Sequence, residues 1–265
     1  MHINTFDRFE HRYSLIHDLD PRVKVVVTLL FIIANVLLPD GAWWAFLAGW
    51  LFLLWLTRLA DLPLTYAVKR AFIVLPFTLA AVTVMFTLPG RTLASWHVGT
   101  WDLVVTDAGI LRFASIVIRS WLSIQCAILL TATTALPDLL HALEHLRLPR
   151  VLIAIIAFMY RYLFVLADEA LRLLRARESR SARGGAGKAG GTIAWRARVA
   201  GHMVGQLFMR SLERSDRVYN AMLARGYDGH LLTLNPHEMQ RQDWAAGVLA
   251  VFLIAGIQLL GHLLT

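Results

Sequence analysis

Apolar residues along this chain fall in long runs broken by turn signals. Val25 to Leu38 is interrupted only by Thr28 and Asn35 and ends at Pro39-Asp40-Gly41. Ala42 to Leu56 is apolar apart from Gly49. Ala71 to Leu88 carries no charge and ends at Pro89-Gly90. A fourth run, from about Ile110 to Ala135, contains Arg112 and Arg119, and a fifth, Trp244 to Leu264, has only Gln258 and His262 as strongly polar members. A spanning helix needs roughly 17–25 residues. The third and fifth runs have that length themselves, and the first two reach it with Arg22, Lys24 and Arg58, whose charges can snorkel to the interface. Trp43, Trp44 and Trp244 stand at run edges, where indole rings favour the headgroup zone. The pattern predicts an all-α integral membrane protein of about five transmembrane helices: four within residues 22–135, after an N-terminal segment 1–21, and one over 243–265.

Between the fourth and fifth runs, residues 136–230 are patterned differently. Pro137 to Leu148 reads as a short amphipathic helix stopped by Pro149. A second helix starts near Arg150 and runs through Asp168-Glu169 to about Ser181. Residues 184–191 are too rich in glycine for a stable helix and read as a linker. A third helix follows from about Thr192 to Arg225, with Val199, Met203 and Leu207 on one row and Val204, Phe208 and Leu212 on the next. Gly226 and Gly229 supply its C-terminal cap. Val151 to Ala167 is apolar enough to be a further crossing, broken only by Arg161. We expect it to lie within or against the membrane bundle instead.

Charge explains that choice. Residues 141–241 hold 16 of the 26 Lys+Arg and 8 of the 18 Asp+Glu, so this block carries the whole net charge of +8. The 58–70 loop contains Arg58, Lys69 and Arg70, the Pro39–Gly41 turn has no Lys or Arg, and the Pro89–Gly109 loop has only Arg91. By the positive-inside rule the N-terminus, the 58–70 loop and the 136–230 block are cytoplasmic and the C-terminus is outside. A sixth crossing at 151–167 would put the basic block on the wrong side.

Composition agrees with a membrane protein: 57% hydrophobic and 17% charged residues, against about 45–50% and about 25% in soluble domains. The low charge and 11% aromatics exclude disorder, and the single cysteine, Cys126, excludes a disulfide scaffold. Gly185 to Gly190 fits G-x-G-x-x-G, but it follows a helix and not a strand. A P-loop ending at Gly187-Lys188 would need glycine at 182 and Ser/Thr at 189, and both are alanine. We therefore expect no nucleotide chemistry, no cofactor and no nucleic-acid partner. His141 and His145 are four apart without the His-Glu-x-x-His order of a metalloprotease, so we expect no metal site. Arg112 and Arg119 are the only ionisable residues that approach an intramembrane cluster.

One repeat stands out. Ala176-Arg177-Glu178-Ser179-Arg180-Ser181 closes one cytoplasmic helix, and Ala221-Met222-Leu223-Ala224-Arg225-Gly226 closes the next. Both read Ala-x-x-small-Arg-small. Small neighbours leave a guanidinium unobstructed for bidentate pairing with a carboxylate. Two such arginines, one per helix, could engage two acidic grooves.

These residues resemble the transmembrane coupling component of energy-coupling factor transporters, the CbiQ/EcfT family, and most nearly its cobalt-type CbiQ branch. Asp20-Pro21-Arg22-Val23-Lys24, Tyr160-Arg161-Tyr162-Leu163-Phe164 with Asp168-Glu169, and Ser211 to Tyr219 with Ala224-Arg225-Gly226-Tyr227 carry the resemblance. It implies two arginine motifs for coupling to ATPase subunits. They fall on Ser179-Arg180-Ser181, with Arg177 a rival to Arg180, and on Ala224-Arg225-Gly226. It also implies partners: ABC ATPase subunits (CbiO-like) and a substrate-binding membrane subunit (CbiM/CbiN-like), in the lipid bilayer of the cell membrane. The implied role is non-catalytic, with cobalt, nickel or a vitamin such as biotin as the transported substrate.

Overall fold

The structure is a computed structural model that describes residues 10, 12, 14–74, 76, 79–87, 89, 91–98, 101–180, 192–229 and 239–264. It forms two compact units, residues 2–146 with 235–265, and residues 147–234.

The first unit is built on four apolar helices. A single turn, α1 (Leu15–Asp18), leads to α2 (Pro21–Leu37), which starts where its sequence says it should: the Asp20 side chain caps it by accepting from the Arg22 N–H at 2.8 Å, and Pro21 takes the first position, where its missing N–H costs nothing. Next come α3 (Trp43–Leu59), the short α4 (Thr65–Ala71) and α5 (Val84–Thr87), then α6 (Asp107–Thr133), α7 (Leu136–His145) and, late in the chain, α10 (Arg241–Leu263). Helix α2 packs on α6, α7 and α10, while α3 packs on α6 and α10. Phe31, Phe46, Leu53, Leu122, Leu129 and Ile254 make the centre of the core.

In lipid, apolar burial gives little preference for helix against helix, so small residues and polar bonds carry more of the specificity. Both are present. Ala42, Ala45 and Gly261 let α10 approach the start of α3 closely: a Cβ on Gly261 would collide with the Leu38 side chain and meet Ala45 at 3.2 Å. Asn35 Nδ2 donates to the Arg119 carbonyl at 2.9 Å and to Ser123 Oγ at 3.0 Å, joining α2 to α6. Gln258 Nε2 donates to the Ala34 carbonyl, joining α10 to α2. The outward faces of α2, α3 and α10 present Ile33, Val36, Leu51, Phe252 and Leu259, as lipid contact requires.

The chain is thus an all-α membrane protein, with two departures from expectation. Among the described residues, the apolar run 71–88 does not form one continuous α-helix. After α4 it continues as 3-10 turns, Phe72–Val74 and Leu79–Thr83, before α5. Pro76 stands between them, where it lacks the N–H for a helical bond and its ring clashes with the preceding turn. The loop before α6 is also not irregular: β1 (Thr92–Val98) and β2 (Trp101–Thr106) pair antiparallel, from Thr92↔Thr106 to Val98↔Trp101, with an irregularity between Thr92 and Ala94. By length and hydropathy α6, α10 and Arg150–Arg180 of the second unit can each cross a bilayer, and Trp43–Leu59 is a shorter apolar helix.

Gly109, in the first turn of α6, is where α5 comes nearest. A Cβ there would fall 2.6 Å from the Met85 carbonyl oxygen and 2.9 Å from Met85 Cα, backbone atoms that no rotamer change moves. Gly109→Ala is expected to destabilise the fold by about 1–3 kcal/mol through overpacking. Gly256→Ala, whose Cβ would meet nothing within 4 Å, is the control. Unfolding in detergent, monitored by thermal shift, checks the pair, and equal midpoints would refute the clash.

Candidate functional site

The second unit is a pair of long helices, α8 (Arg150–Arg180) and α9 (Ile193–Ala224), as the spacing of their apolar residues predicts. Only Ile153 and Ala154 of α8 are buried, and no residue of α9. Met159 on α8 and Val204, Phe208 and Met209 on α9 are each about 60% exposed or more, so among the described residues both helices keep exposed apolar faces.

Glu169 ties the two together. Arg210 Nη1 on α9 donates to its Oε1 at 2.6 Å, and Arg172 Nη2 on α8 donates to its Oε2 at 2.8 Å. To one side of this tie the helices enclose an apolar groove of about 530 Å³, walled by Ile155, Phe158 and Tyr162 on α8 and by Val218, Tyr219 and Met222 on α9. The groove uses residues that precede Glu169 on one helix and follow Arg210 on the other. The helices therefore pass the tie in opposing directions. Arg180 lies eleven residues beyond Glu169 and Arg225 fifteen beyond Arg210, roughly 16 Å and 22 Å along the two axes at about 1.5 Å per residue. The pair carries its two arginines to opposite ends.

Arg225 is held by a complete helix stop. It occupies the C-cap with φ −96° and ψ 9°, followed by Gly226 at φ +81°. The Tyr227 N–H donates to the Met222 carbonyl and the Gly226 N–H to the Leu223 carbonyl, each at 3.0 Å, which is the Schellman pairing. The motif Ala224-Arg225-Gly226 thus has a mechanical reason: glycine supplies the left-handed residue, alanine ends the helix without bulk, and the arginine between them is exposed. Gly226→Ala is expected to cost about 1 kcal/mol at this left-handed position, read as fraying of 219–227 in hydrogen exchange with the rest of α9 unchanged.

At the other end, Arg180 is the last residue of α8 and is exposed, and Ser179 Oγ turns back to donate to the Ala176 carbonyl at 3.0 Å. Arg177 is engaged within the chain. Ser181 and the glycine-rich 184–191 segment lie outside the described residues.

Two polar clusters belong to the first unit. Asp40, in the turn between α2 and α3, accepts from Arg119 Nη2 at 2.9 Å and has Arg112 Nε at 3.8 Å, while Arg119 also bonds the Leu38 carbonyl. The two α6 arginines that could have marked an intramembrane reaction site are accounted for by this turn. The second cluster lies under the Asp20-Pro21-Arg22-Val23-Lys24 motif. Asp20 donates its N–H to Asp243 Oδ1 at 2.9 Å; Asp243 Oδ2 accepts from the Gln240 N–H at 2.8 Å and caps α10. Lys24 Nζ donates to the carbonyls of His17, at 2.9 Å, and Thr133, at 3.2 Å. Burial, then the Lys24 ammonium, holds the His17 imidazole below its usual pKa. Sequence reading missed Asp243 and the Thr133 partner of Lys24, because bonds across more than 100 positions leave no local signal. A charged pair flanking apolar runs was the only hint. His141 and His145 meet edge to face at 4.7 Å on α7, and among the described residues no group of three or more His, Cys, Asp or Glu could hold a metal ion.

Fold and site together define an all-α membrane protein that carries an exposed helix pair ending in arginines. Residues 12–235 match the family model CbiQ, described as cobalt transport protein, and the chain belongs to that family. It is 31% identical over 231 residues to the energy-coupling factor transporter transmembrane protein EcfT of Leuconostoc gelidum subsp. gasicomitatum, covering 83% of this chain and 82% of the relative. It is 27% identical over 262 residues to EcfT of Thermosediminibacter oceani, covering 95% and 94%. A putative fused cobalt transport protein, CbiMQ, of Methanocorpusculum labreanum is 29% identical over 154 residues, which are 57% of this chain and 24% of the fusion.

Proposed function

We propose that this chain is the transmembrane coupling subunit of an energy-coupling-factor ABC importer for cobalt ions. Its partners are two ABC ATPase subunits, CbiO-like, and a substrate-binding membrane subunit, CbiM/CbiN-like. Its own role is to transmit motion, without catalysis or cofactor. The observation that carries this reading is the separation of the two arginines. A helix pair tied at Glu169 places Arg180 and Arg225 at opposite ends, suited to one acidic groove in each of two ATPase subunits. When those subunits close on ATP, the ends move, and the membrane helices pass a change of state to the substrate-binding subunit. This is a bistable element biased from both sides.

Arg180 is the stronger candidate for the first motif, with Ser179 and Ser181 as its small neighbours, since Arg177 already has an intrachain partner. The N-terminus, the 58–70 loop and the 136–230 block face the cytoplasm, with the C-terminus outside. Helix α8 does not cross the bilayer, although it has the length to do so, since a crossing there would carry the basic block to the outer side. Cobalt follows the family and the fused CbiMQ relative; nickel or biotin is the alternative substrate.

Cysteine substitution tests the reading directly, because Cys126 is the one native cysteine and is buried. Arg225→Cys is expected to react with an impermeant maleimide only from the inner face, and to be shielded when the ATPase subunits are bound. Reaction from the outer face refutes the orientation and the coupling role together. Uptake of Co²⁺, Ni²⁺ and biotin by cells expressing the chain with its neighbouring genes separates the substrates.

A further inference from the structure

The polar cluster at the start of α2 is more than a cap. Helix α6 ends at Thr133, where its last carbonyls have no helical partner and carry the negative end of the helix dipole. The Lys24 ammonium bonds the Thr133 carbonyl and, with a second N–H, the His17 carbonyl. The lysine is 9% exposed, and Asp138, Asp18, Asp20 and Asp243 all act on it electrostatically. Asp20, four residues earlier, is bound through its N–H to Asp243 at the head of α10. The ends of α2, α6 and α10 therefore meet at one charged node, and the chain that leaves this node at Thr133 runs through α7 to the arginine-bearing helices.

We propose that Lys24 is a positioning residue for energy coupling: its ammonium locks the end of α6 to the start of α2, so that displacement arriving from α8 and α9 moves the membrane helices as one body. This inference rests on the coupling role proposed above. Without the lock, α6 is dragged alone and the work done on the helix pair is dissipated at the Thr133–Leu136 joint. Two carbonyls bridged by a flexible four-carbon cation suit this task. The bond resists separation of the helix ends, yet it needs no bulky contact that would hold the bundle in one state.

The test places spin labels on Val26→Cys in α2 and Thr131→Cys in α6, both exposed positions near the node, in the full-length chain assembled with its ATPase subunits in lipid vesicles. With Lys24 present, the label distance is expected to be the same with and without a non-hydrolysable ATP analogue. In Lys24→Met it is expected to differ between the two states by about 3 Å or more, while ATP hydrolysis persists. Lys24→Arg, which keeps cationic donors, restores the nucleotide-independent distance. A lysine that only stabilised the fold would broaden the distribution alike in both states. That result, or no change in Lys24→Met, overturns the proposal. If Lys24→Met is not recovered folded, Lys24→Gln is read by the same criteria, since its shorter amide reaches neither carbonyl as an ion. Normal assembly and coupling in a chain with both Arg180 and Arg225 reversed would defeat the coupling role itself. A negative Lys24 result with those arginines essential defeats only this inference.

Discussion

Replacing Arg180 and Arg225 together by glutamate is expected to abolish recovery of the ATPase subunits with this chain from membranes. An arginine paired across a desolvated interface costs about 2–5 kcal/mol when one partner is truncated. Reversal adds repulsion between two carboxylates. At about 1.4 kcal/mol per factor of ten, one lost pairing already weakens the complex by roughly 30-fold or more. The arginines stand at opposite ends of the helix pair, so the single variants should each retain one attachment and recover partial complex. Arg177→Glu is expected to have the smallest effect, because Arg180 and not Arg177 stands between two small neighbours. Affinity capture followed by quantification of the ATPase subunits checks all four proteins. Full recovery with the double variant would falsify the assignment of both motifs.

Asp243→Ala is expected to be the most destabilising single change in the membrane unit, at about 2–4 kcal/mol. Two losses combine. The cap of α10 goes, at about 1 kcal/mol. The Asp20 N–H, buried and 2.9 Å from Asp243 Oδ1, is left without an acceptor, at about 1–3 kcal/mol. Asp243→Asn keeps one oxygen acceptor and should lose less than half as much. Denaturant titration in micelles measures both, with the Trp244 indole as a nearby reporter. Equal stability of the alanine variant and the parent would show that the Asp20–Asp243 bond is not holding α2 to α10.

Much of this architecture is legible in the chain itself, since the relevant signals are local. Pro21 after Asp20 starts α2, Gly226 after Arg225 stops α9, and the 3.6-residue spacing of Val204, Phe208 and Leu212 marks the helix between. Where a signal depended on what surrounds it, sequence reading went astray. The apolar run through Pro76 has spanning length, yet its described residues include 3-10 turns at Phe72–Val74 and Leu79–Thr83, and nothing local shows that the residues before α6 pair as a hairpin. Arg112 and Arg119 looked like an isolated pair of like charges, because nothing local shows that Asp40, more than 70 positions away, lies between them.

Hydropathy and charge bias alone determined that this is a helical membrane protein with a basic block set apart from its apolar runs. Both properties sum over many residues and tolerate errors at any one of them. The two arginine-tipped helix ends were also written locally, in a few residues each. Only the tertiary structure decided that Glu169 ties those helices so as to send the arginines opposite ways, and that Lys24, Asp20 and Asp243 gather three helix ends at one point. Such bonds form between groups distant in sequence, and their free energy depends on distances of a few ångströms that no periodicity encodes.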